Sequence, residues 1–314
     1  VISGMTEPEN TVIRTSDYFK AHKVDFLNGA SVTRIDTKNS QVTLDNGLEI
    51  NYKKLLIATG ASASIPPIHG IDDVEFTTIR TMADAKKIKK KMSQAKSALI
   101  IGAGFIGMHT AESLADSGIS VTVVEALDQI LPAIFDTESS DLIRKVFNEN
   151  SIVMLTGKRV SMAYQKEGKT ILVLNDGEKV SGDMLVIAAG IKPNIDFLEG
   201  SGIDCDQGIV VTARMRTSAP NVWAAGDVAS APEFFSHRKT SGGTIPCATE
   251  QGSIAGMDMV EDSYVMDYPG NLDMNTFGFF GNFAFSIGNV VDQSSDDGLE
   301  IEILKDLEKN NFCR

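Results

Sequence analysis

A glycine-rich turn between an apolar strand and a helix carries the clearest chemical signal in this sequence. The turn follows the apolar run 97–101 and leads into a helix predicted over Ile106–Ser117. In such turns the first glycine permits a tight bend, the second lets the backbone approach a pyrophosphate, and the third lets helix and strand pack closely. The helix start adds free N–H groups and the positive end of a dipole, so a dinucleotide-binding site is predicted here. The residues of the turn are Gly102, Ala103, Gly104, Phe105, Ile106 and Gly107.

An acidic residue stands where the ribose of such a dinucleotide would lie. Glu125 ends the next predicted strand, 23 residues after Gly102. A carboxylate there accepts hydrogen bonds from ribose hydroxyls and repels a 2′-phosphate. No Arg or Lys occurs from Ala126 to Asp141, where cations for a 2′-phosphate would be expected. We therefore predict that NAD(H) is preferred over NADP(H). The alternative for Glu125 is a solvated acid at a strand end.

The elements around this turn occur twice in the chain. Residues 24–60 and 152–190 each contain an Asx-Gly turn between alternating strands and end in a short apolar run closed by small residues. Matched positions such as Gly29 and Gly157 lie 128 residues apart. The second copy is preceded by the complete strand–turn–helix unit, whereas the matching turn of the first copy would fall before Val1. We expect a fragment that lacks this first unit; the alternative is that the first copy never had one.

Hydrophobic spacing predicts further helices over Thr15–His22, Met82–Ala95 and Phe135–Asn148. The helix over Met82–Ala95 carries five lysines, which are expected on a solvated outer face. After Asn275, apolar residues recur at every second position and predict one strand with a shared apolar face. The residues of that face are Phe277, Phe279, Phe283, Phe285 and Ile287.

Composition excludes several classes of function. The 314 residues include 29 Lys and Arg against 42 Asp and Glu, for a formal net charge of −13. This excess of acid argues against a nucleic acid partner, because binding a polyanion requires clustered cations. No run is apolar enough to predict a membrane span, so no membrane partner is expected. Three widely spaced cysteines favour a reducing compartment, the cytoplasm, and no metal-ligand spacing is present.

Three motifs, taken in order, resemble FAD-dependent pyridine nucleotide-disulfide oxidoreductases. They are GAGFIG followed by VTVVE, the run 58–60, and TSAPNVWAAGD at Thr217–Asp227. The resemblance is to the branch of NADH oxidases, NADH-rubredoxin reductases, coenzyme A-disulfide reductases and nitrite reductase flavin domains. It implies an α/β fold with two Rossmann-like domains, the NAD domain inserted in the FAD domain, and the start of a small α+β C-terminal interface domain. The implied segments are 1–76 (FAD), 77–193 (NAD), 194–266 (FAD) and 267–314 (interface).

The resemblance also implies which residues hold the cofactors. Asp227 would accept a hydrogen bond from the ribityl chain of FAD, Val32 would contact the FAD adenine through its backbone, and Gly190 would line the NAD site. Small residues of other segments would leave room for FAD or lie at the start of a helix that points at its pyrimidine ring. These residues are Ala58, Thr59, Gly60, Gly226, Ala248 and Thr249.

The reaction implied by the resemblance is hydride transfer from NADH to FAD, followed by electron transfer to an unidentified acceptor. That acceptor could be rubredoxin, a disulfide, oxygen, peroxide or a nitrite-reducing centre, and a homodimer is expected. Many relatives carry Glu two residues after the last glycine of the NAD turn, whereas this chain has His109, which either contacts the nicotinamide or meets a carboxylate or water. No catalytic residue is assigned. The alternative function is an NAD-binding module without catalysis.

Overall fold

The computed structural model describes residues 2, 4, 6–235, 238–288, 304–306 and 311–313. The α-helices are α1 (Ser16–Ala21), α2 (Met82–Met92), α3 (Phe105–Asp116), α4 (Thr137–Glu149) and α5 (Ile245–Met259). Short 3-10 helices span Pro8–Thr11, Ile71–Asp73, Asp196–Leu198 and Gly226–Val228. The strands are β1 (Val32–Asp36), β2 (Gln41–Leu44), β3 (Glu49–Asn51), β4 (Leu55–Ile57), β5 (Ala61–Ala63), β6 (Phe76–Thr78), β7 (Ser97–Ile101), β8 (Ser120–Val124), β9 (Val153–Leu155), β10 (Val160–Lys166), β11 (Lys169–Leu174), β12 (Lys179–Gly182), β13 (Met184–Ile187), β14 (Ile191–Pro193), β15 (Ile209–Val210), β16 (Val222–Ala224), β17 (Ala229–Pro232), β18 (Lys239–Thr240), β19 (Met274–Phe279), β20 (Asn282–Ile287), β21 (Leu304–Asp306) and β22 (Asn311–Cys313).

The chain forms two compact units. The central unit contains Ala63–Gly190 together with the described parts of Val1–Glu7 and Met274–Arg314. The flanking unit contains Pro8–Ser62 and Ile191–Asp273, so its two segments lie on either side of Ala63–Gly190 in the sequence. Within the described residues, no helix combines the length and the apolar character that crossing a membrane requires.

A five-stranded parallel sheet forms the centre of the central unit. Its strand order is β6-β13-β7-β8-β9, and each neighbouring pair is parallel. The inner strands β7 and β13 are almost entirely buried, as their unbroken apolar runs require. Apolar residues of α2, α3 and α4 belong to the same core cluster as those of the sheet. The predicted α/β class with a Rossmann-like parallel sheet is confirmed.

Helices α2, α4 and α5 begin at residues whose side chains cap them. The Thr81 hydroxyl accepts the Asp84 N–H at 3.2 Å, and the Asp84 carboxylate accepts the Thr81 N–H at 2.9 Å. The Asp136 side chain likewise accepts the Ser139 N–H at the start of α4, and the Thr244 side chain accepts the Cys247 N–H at the start of α5. These bonds satisfy N–H groups that have no partner inside the helix, and they fix where each helix starts.

The duplication predicted from the sequence is present in the structure. Strands β1, β2 and β3 form an antiparallel meander in the flanking unit, and β10, β11 and β12 form one in the central unit. Val32 pairs with Leu44 and Val160 pairs with Leu174, and in both meanders the register shifts directly after this valine. Each meander is followed by a strand that enters a parallel pairing, β4 or β13.

Residues 274–287 form two strands where one was predicted. β19 and β20 pair as an antiparallel hairpin of the central unit, with positive φ angles at Phe280 and Gly281 in the turn. Phe277 and Phe279 are buried in the apolar core. The large apolar residues of β20 are more than half exposed; they are Phe283, Phe285 and Ile287. The prediction of one shared apolar face is wrong because the turn at Gly281 reverses the chain.

The flanking unit is centred on the parallel pair of β4 and β16. Trp223, in β16, is buried in its apolar core, and its indole N–H donates to Asp258 Oδ2 at 2.8 Å. Arg216 donates two further hydrogen bonds to the same carboxylate, at 2.5 and 3.0 Å. Asp258 is only 3% exposed, so these bonds compensate the loss of water around its charge. The hydrogen bond from Arg216, more than any other interaction, holds the pKa of the Asp258 carboxyl below its usual value.

We expect Asp258→Asn to lower the free energy of unfolding by about 2 kcal/mol at neutral pH, because a bidentate charged pair is lost from a buried site. A carboxyl whose pKa is lowered by folding stabilises the protein above its unfolded pKa and loses that effect as the pH falls through the folded one. The difference between wild type and variant should therefore shrink below about pH 4. This difference in the free energy of unfolding can be measured by urea unfolding. The fluorescence of Trp223, the one tryptophan of the chain, reports the transition.

Asp267→Asn is the matched control, since Asp267 pairs with Arg214 at 2.7 Å but is mostly exposed. It should change the free energy of unfolding by less than about 0.5 kcal/mol. Equal losses in the two variants would show that burial adds nothing to the pair at Asp258.

Candidate dinucleotide-binding site

The glycine-rich turn joins β7 to α3 with two glycines packed against backbone. Gly102 has φ +104°, and a Cβ there would lie 2.4 Å from the Ala188 carbonyl oxygen. A Cβ on Gly107 would lie 2.0 Å from the carbonyl oxygen of Gly102. By contrast, a Cβ on Gly104 would meet no atom within 4 Å. The turn therefore has a packed side at Gly102 and Gly107 and an open side at Gly104.

The first turn of α3 faces this open side with unpaired donors. Gly104 stands at the N-cap position, and its carbonyl oxygen accepts the Met108 N–H at 2.9 Å. No side chain caps this end of the helix, in contrast to Thr81 at α2. An anion can take the place of such a cap, because the free N–H groups and the helix dipole both favour negative charge.

The Glu125 carboxylate binds the turn itself. Its Oε2 accepts the Ala103 N–H at 2.7 Å, and its Oε1 accepts the Leu127 N–H at 2.9 Å. Each carboxylate oxygen retains a second lone pair that can accept a ribose hydroxyl. Glu125 is therefore a structural ligand of the glycine-rich turn as well as the predicted ribose contact.

A cavity of about 330 Å³ opens beside these residues in the central unit. Four predicted positions line it, namely Gly102, Gly104, Glu125 and Gly190. Most of the other lining residues are apolar, and some of them lie at the ends of β7, β8 and β13, among them Ile101, Val124 and Ala188. Ligands of open parallel sheets bind at this carboxyl edge of the strands.

The remaining residues of the turn serve the fold around this cavity. Ala103 is fully buried, and Gly107 packs on Gly102. The Phe105 ring packs against Phe277 of the hairpin, with 5.6 Å between ring centroids. Ile106 is half exposed. None of these four residues lines the cavity.

His109 contacts the hairpin and a carboxylate. Its ring lies 4.8 Å from the ring of Phe277, and its Nδ1 lies 3.9 Å from Glu112 Oε2. The other oxygen of Glu112 accepts the Phe280 N–H at 2.6 Å. Of the two alternatives for His109, the structure thus has the ring near a carboxylate on α3.

A second group of predicted residues meets in the flanking unit. β4 and β16 run parallel and end at the same edge, where the Ala225 N–H donates to the Ile57 carbonyl oxygen at 3.1 Å. This places the run 58–60 beside the turn at Gly226 and Asp227. A Cβ on Gly226, whose φ is +80°, would lie 3.6 Å from Ala248 Cβ. Val32 lies in β1, and Thr249 is exposed in the first turns of α5.

This edge fits a flat cofactor such as FAD. The strands end in small residues, so a cofactor can approach the backbone closely, and the glycine at 226 has a positive φ that few other residues adopt. The helix α5 starts nearby with exposed residues at 245 and 246. Its N-terminal dipole would favour negative charge on a bound group.

A buried polar network that the sequence analysis missed supports the Gly226 turn. Gln251 Oε1 accepts the Gly226 N–H at 2.8 Å, and Gln251 Nε2 donates to Asn271 Oδ1 at 3.0 Å. The Tyr268 hydroxyl donates to the same oxygen at 2.8 Å, and Asn271 Nδ2 donates to the Thr240 carbonyl oxygen at 3.0 Å. The amide groups of Gln251 and Asn271 thereby fix the turn relative to α5. A polar residue in a helix gives no sequence signal that it is buried.

The central cavity also contains two basic residues that were not predicted, Lys158 and Arg159. They follow Gly157 in the link between β9 and β10. Their one sequence signal is their place directly after Gly157, a glycine shared by both copies of the repeat.

Comparison with known proteins defines the class. The sequence profile of the pyridine nucleotide-disulphide oxidoreductases matches residues 1–252. The chain belongs to this family, whose members are flavoprotein oxidoreductases that use FAD and NAD(H). The glycine-rich turn and the carboxyl edge of the β4–β16 pair described above lie within the matched residues.

Individual relatives agree with this assignment. The chain is 40% identical over 289 residues to the NADH-dependent phenylglyoxylate dehydrogenase subunit epsilon of Aromatoleum evansii, covering 92% of this chain and 68% of that one. It is 31% identical to an NADH oxidase of Methanocaldococcus jannaschii, covering 82% and 60%. A solved NAD-dependent persulfide reductase from A. fulgidus superposes with a TM-score of 0.85 at 31% identity, covering 91% of this chain and 55% of that one. The chain thus spans between about half and two thirds of the length of these proteins.

We expect Gly104→Val to abolish tight NADH binding without destabilising the fold. The valine side chain would occupy the open side of the turn, where the structure has no atom to clash with, and Gly104 has an ordinary φ of −75°. The Kd for NADH measured by isothermal titration calorimetry should rise at least about tenfold, with an unchanged melting temperature.

Gly107→Ala is the matched variant on the packed side. Its methyl group would collide with the Gly102 carbonyl oxygen, so this variant should lose about 3 kcal/mol of stability as well as affinity. Wild-type affinity in Gly104→Val would mean that phosphate does not bind on the open side.

Proposed function

We propose that this chain is part of an FAD-dependent NADH:acceptor oxidoreductase, with NADH bound in the central unit and FAD in the flanking unit. The observation that carries the proposal is the central cavity, which Gly104, at the uncapped start of α3, and Glu125 line together. Pyrophosphate and ribose need these two kinds of group side by side. Of the segments that the family resemblance implies, we assign residues 77–193 to NAD and residues 1–76 and 194–266 to FAD, although residues 63–76 belong to the central unit.

The protein contributes positioning and electrostatics. The chemistry that FAD supplies when bound is hydride acceptance followed by electron release. Gly226 and Asp227, fixed by Gln251, would hold its ribityl chain, and Ala58 to Gly60 would let it lie against the backbone. The N-terminus of α5 would favour the negative charge that follows reduction. Glu125 would orient the ribose of NADH and disfavour a 2′-phosphate, so that NADH is preferred over NADPH.

The electron acceptor we propose is a protein-bound redox centre. The relative with 40% identity is described as a subunit of an NADH-dependent dehydrogenase, which supports electron exchange with a partner protein. Rubredoxin, a disulfide, oxygen, peroxide and a nitrite-reducing centre are the acceptors that the family resemblance implies. A homodimer in the cytoplasm remains part of the proposal.

Anaerobic titration of the purified protein with NADH tests this function. We expect a visible flavin band that NADH bleaches, because hydride transfer consumes oxidised flavin. Gly104→Val should keep the band but resist bleaching at the same NADH concentration, since its defect lies in the central unit. On admission of air the band should return slowly if the acceptor is a protein centre and at once if it is oxygen.

Two results would contradict the proposal. A colourless protein that binds NADH would indicate a nucleotide-binding module without catalysis. A yellow protein that NADPH and NADH both fail to bleach would remove NADH as electron donor.

A further inference from the structure

The two basic residues of the central cavity differ in whether nearby carboxylates already neutralise their positive charge. Lys158 pairs closely with Asp176, and its Nζ lies 3.5 Å from Glu178 Oε2. These carboxylates neutralise its ammonium group. Arg159 is exposed, and its guanidinium forms no ion pair with any carboxylate of the described residues. Arg159 is therefore the cation of this cavity that can still bind an anion.

Backbone hydrogen bonds hold these residues beside the ribose carboxylate. The Glu125 N–H donates to the Leu155 carbonyl oxygen at 2.9 Å, and the Lys158 N–H donates to the Glu125 carbonyl oxygen at 2.9 Å. The Gly157 N–H donates to the Leu127 carbonyl oxygen at 2.7 Å. These bonds hold the link between β9 and β10 against the backbone of Glu125 and Leu127.

The position of Arg159 is fixed from its other side as well. Its N–H donates to Asn175 Oδ1 at 3.1 Å, and the Asn175 N–H donates to its carbonyl oxygen at 2.9 Å. The backbone that carries the guanidinium is therefore preorganised, and what remains to be ordered on binding is the side chain itself.

We propose that Arg159 is a specificity-determining residue that binds a 2′-phosphate at the adenosine end of the cavity. The guanidinium is planar and donates two parallel hydrogen bonds to phosphate oxygens, so it offsets the repulsion from Glu125. The protein should then bind NADPH measurably, although NADH is preferred. The inference rests on the proposed binding of NADH in this cavity and adds to it a cation that the run from Ala126 to Asp141 does not supply.

Binding of NADH and of NADPH to the purified protein, measured by calorimetry, tests the role of Arg159. In Arg159→Ala the Kd for NADPH should rise about tenfold, and that for NADH should change less than about twofold, because the lost partner is the 2′-phosphate. Raising the salt concentration should weaken NADPH binding to wild type more than NADH binding. This difference should disappear in Arg159→Ala, and Arg159→Lys should restore part of it.

Lys158→Ala is the matched control, since it removes a cation from the same cavity whose charge is already neutralised. It should shift the ratio of the two Kd values less than about twofold. Equal weakening of NADH and NADPH in Arg159→Ala would overturn the proposal, as would a shift of the ratio in Lys158→Ala as large as that in Arg159→Ala.

The two proposals fail in different ways. If Gly104→Val keeps wild-type affinity for NADH, the cavity is not the dinucleotide site. If Gly104→Val loses NADH while Arg159→Ala leaves the ratio unchanged, the site stands and only the role of Arg159 is wrong.

Discussion

In the central unit, α3 approaches β7 so closely that the Gly102 carbonyl oxygen occupies the place where a Cβ of residue 107 would be. No side chain fits at Gly102 or Gly107. This contact therefore fixes the direction of α3 and the position of its first turn relative to β7. Gly104 is left on the outer side, with the free N–H groups of the helix behind it. The hydrogen bond from the Ala103 N–H to Glu125 then ties the turn to the end of β8. The proposed anion site is therefore preformed by packing rather than assembled by a ligand.

The flanking unit has the same kind of carboxyl strand edge, where we propose that FAD binds. Its strand β4 also follows an antiparallel meander and also ends in small residues, but its parallel partner β16 lies beyond Ala63–Gly190 in the sequence. Closing this pair costs more loop entropy than closing β7 on β8. Polar contacts of Gln251 and Asp258 connect α5 to β16 and to the turn that follows it. The carboxyl edge at Gly226 thus depends on a network, whereas the edge at Gly104 depends on a steric contact.

How much of this could be predicted from the sequence depends on the range of each signal. The glycine-rich turn, Glu125 and the meanders are local patterns, because turn chemistry and strand period are set by neighbours in the chain. A search for cations in the sequence directly after Glu125 does not find Arg159. The parallel pairing of β8 with β9 brings Arg159 close to Glu125 from a later segment of the chain. Alternation after 274 could not distinguish one strand from a hairpin, since the period is two in both, and Gly281 was the one signal of the reversal.

The residue at position 109 shows how the hairpin changes the surroundings of α3. A glutamate there, as the family resemblance implies, would place a carboxylate beside the ring of Phe277 and one helical turn from Glu112. Like charges at this spacing repel, and the face of an aromatic ring disfavours an anion. The imidazole of His109 instead packs on Phe277 by its edge, and Glu112 remains available for the Phe280 N–H. Neither contact involves Gly102, Gly104 or Glu125. The departure at His109 therefore follows from the packing of β19 and β20 on α3, and it leaves the proposed pyrophosphate and ribose positions of the cavity intact.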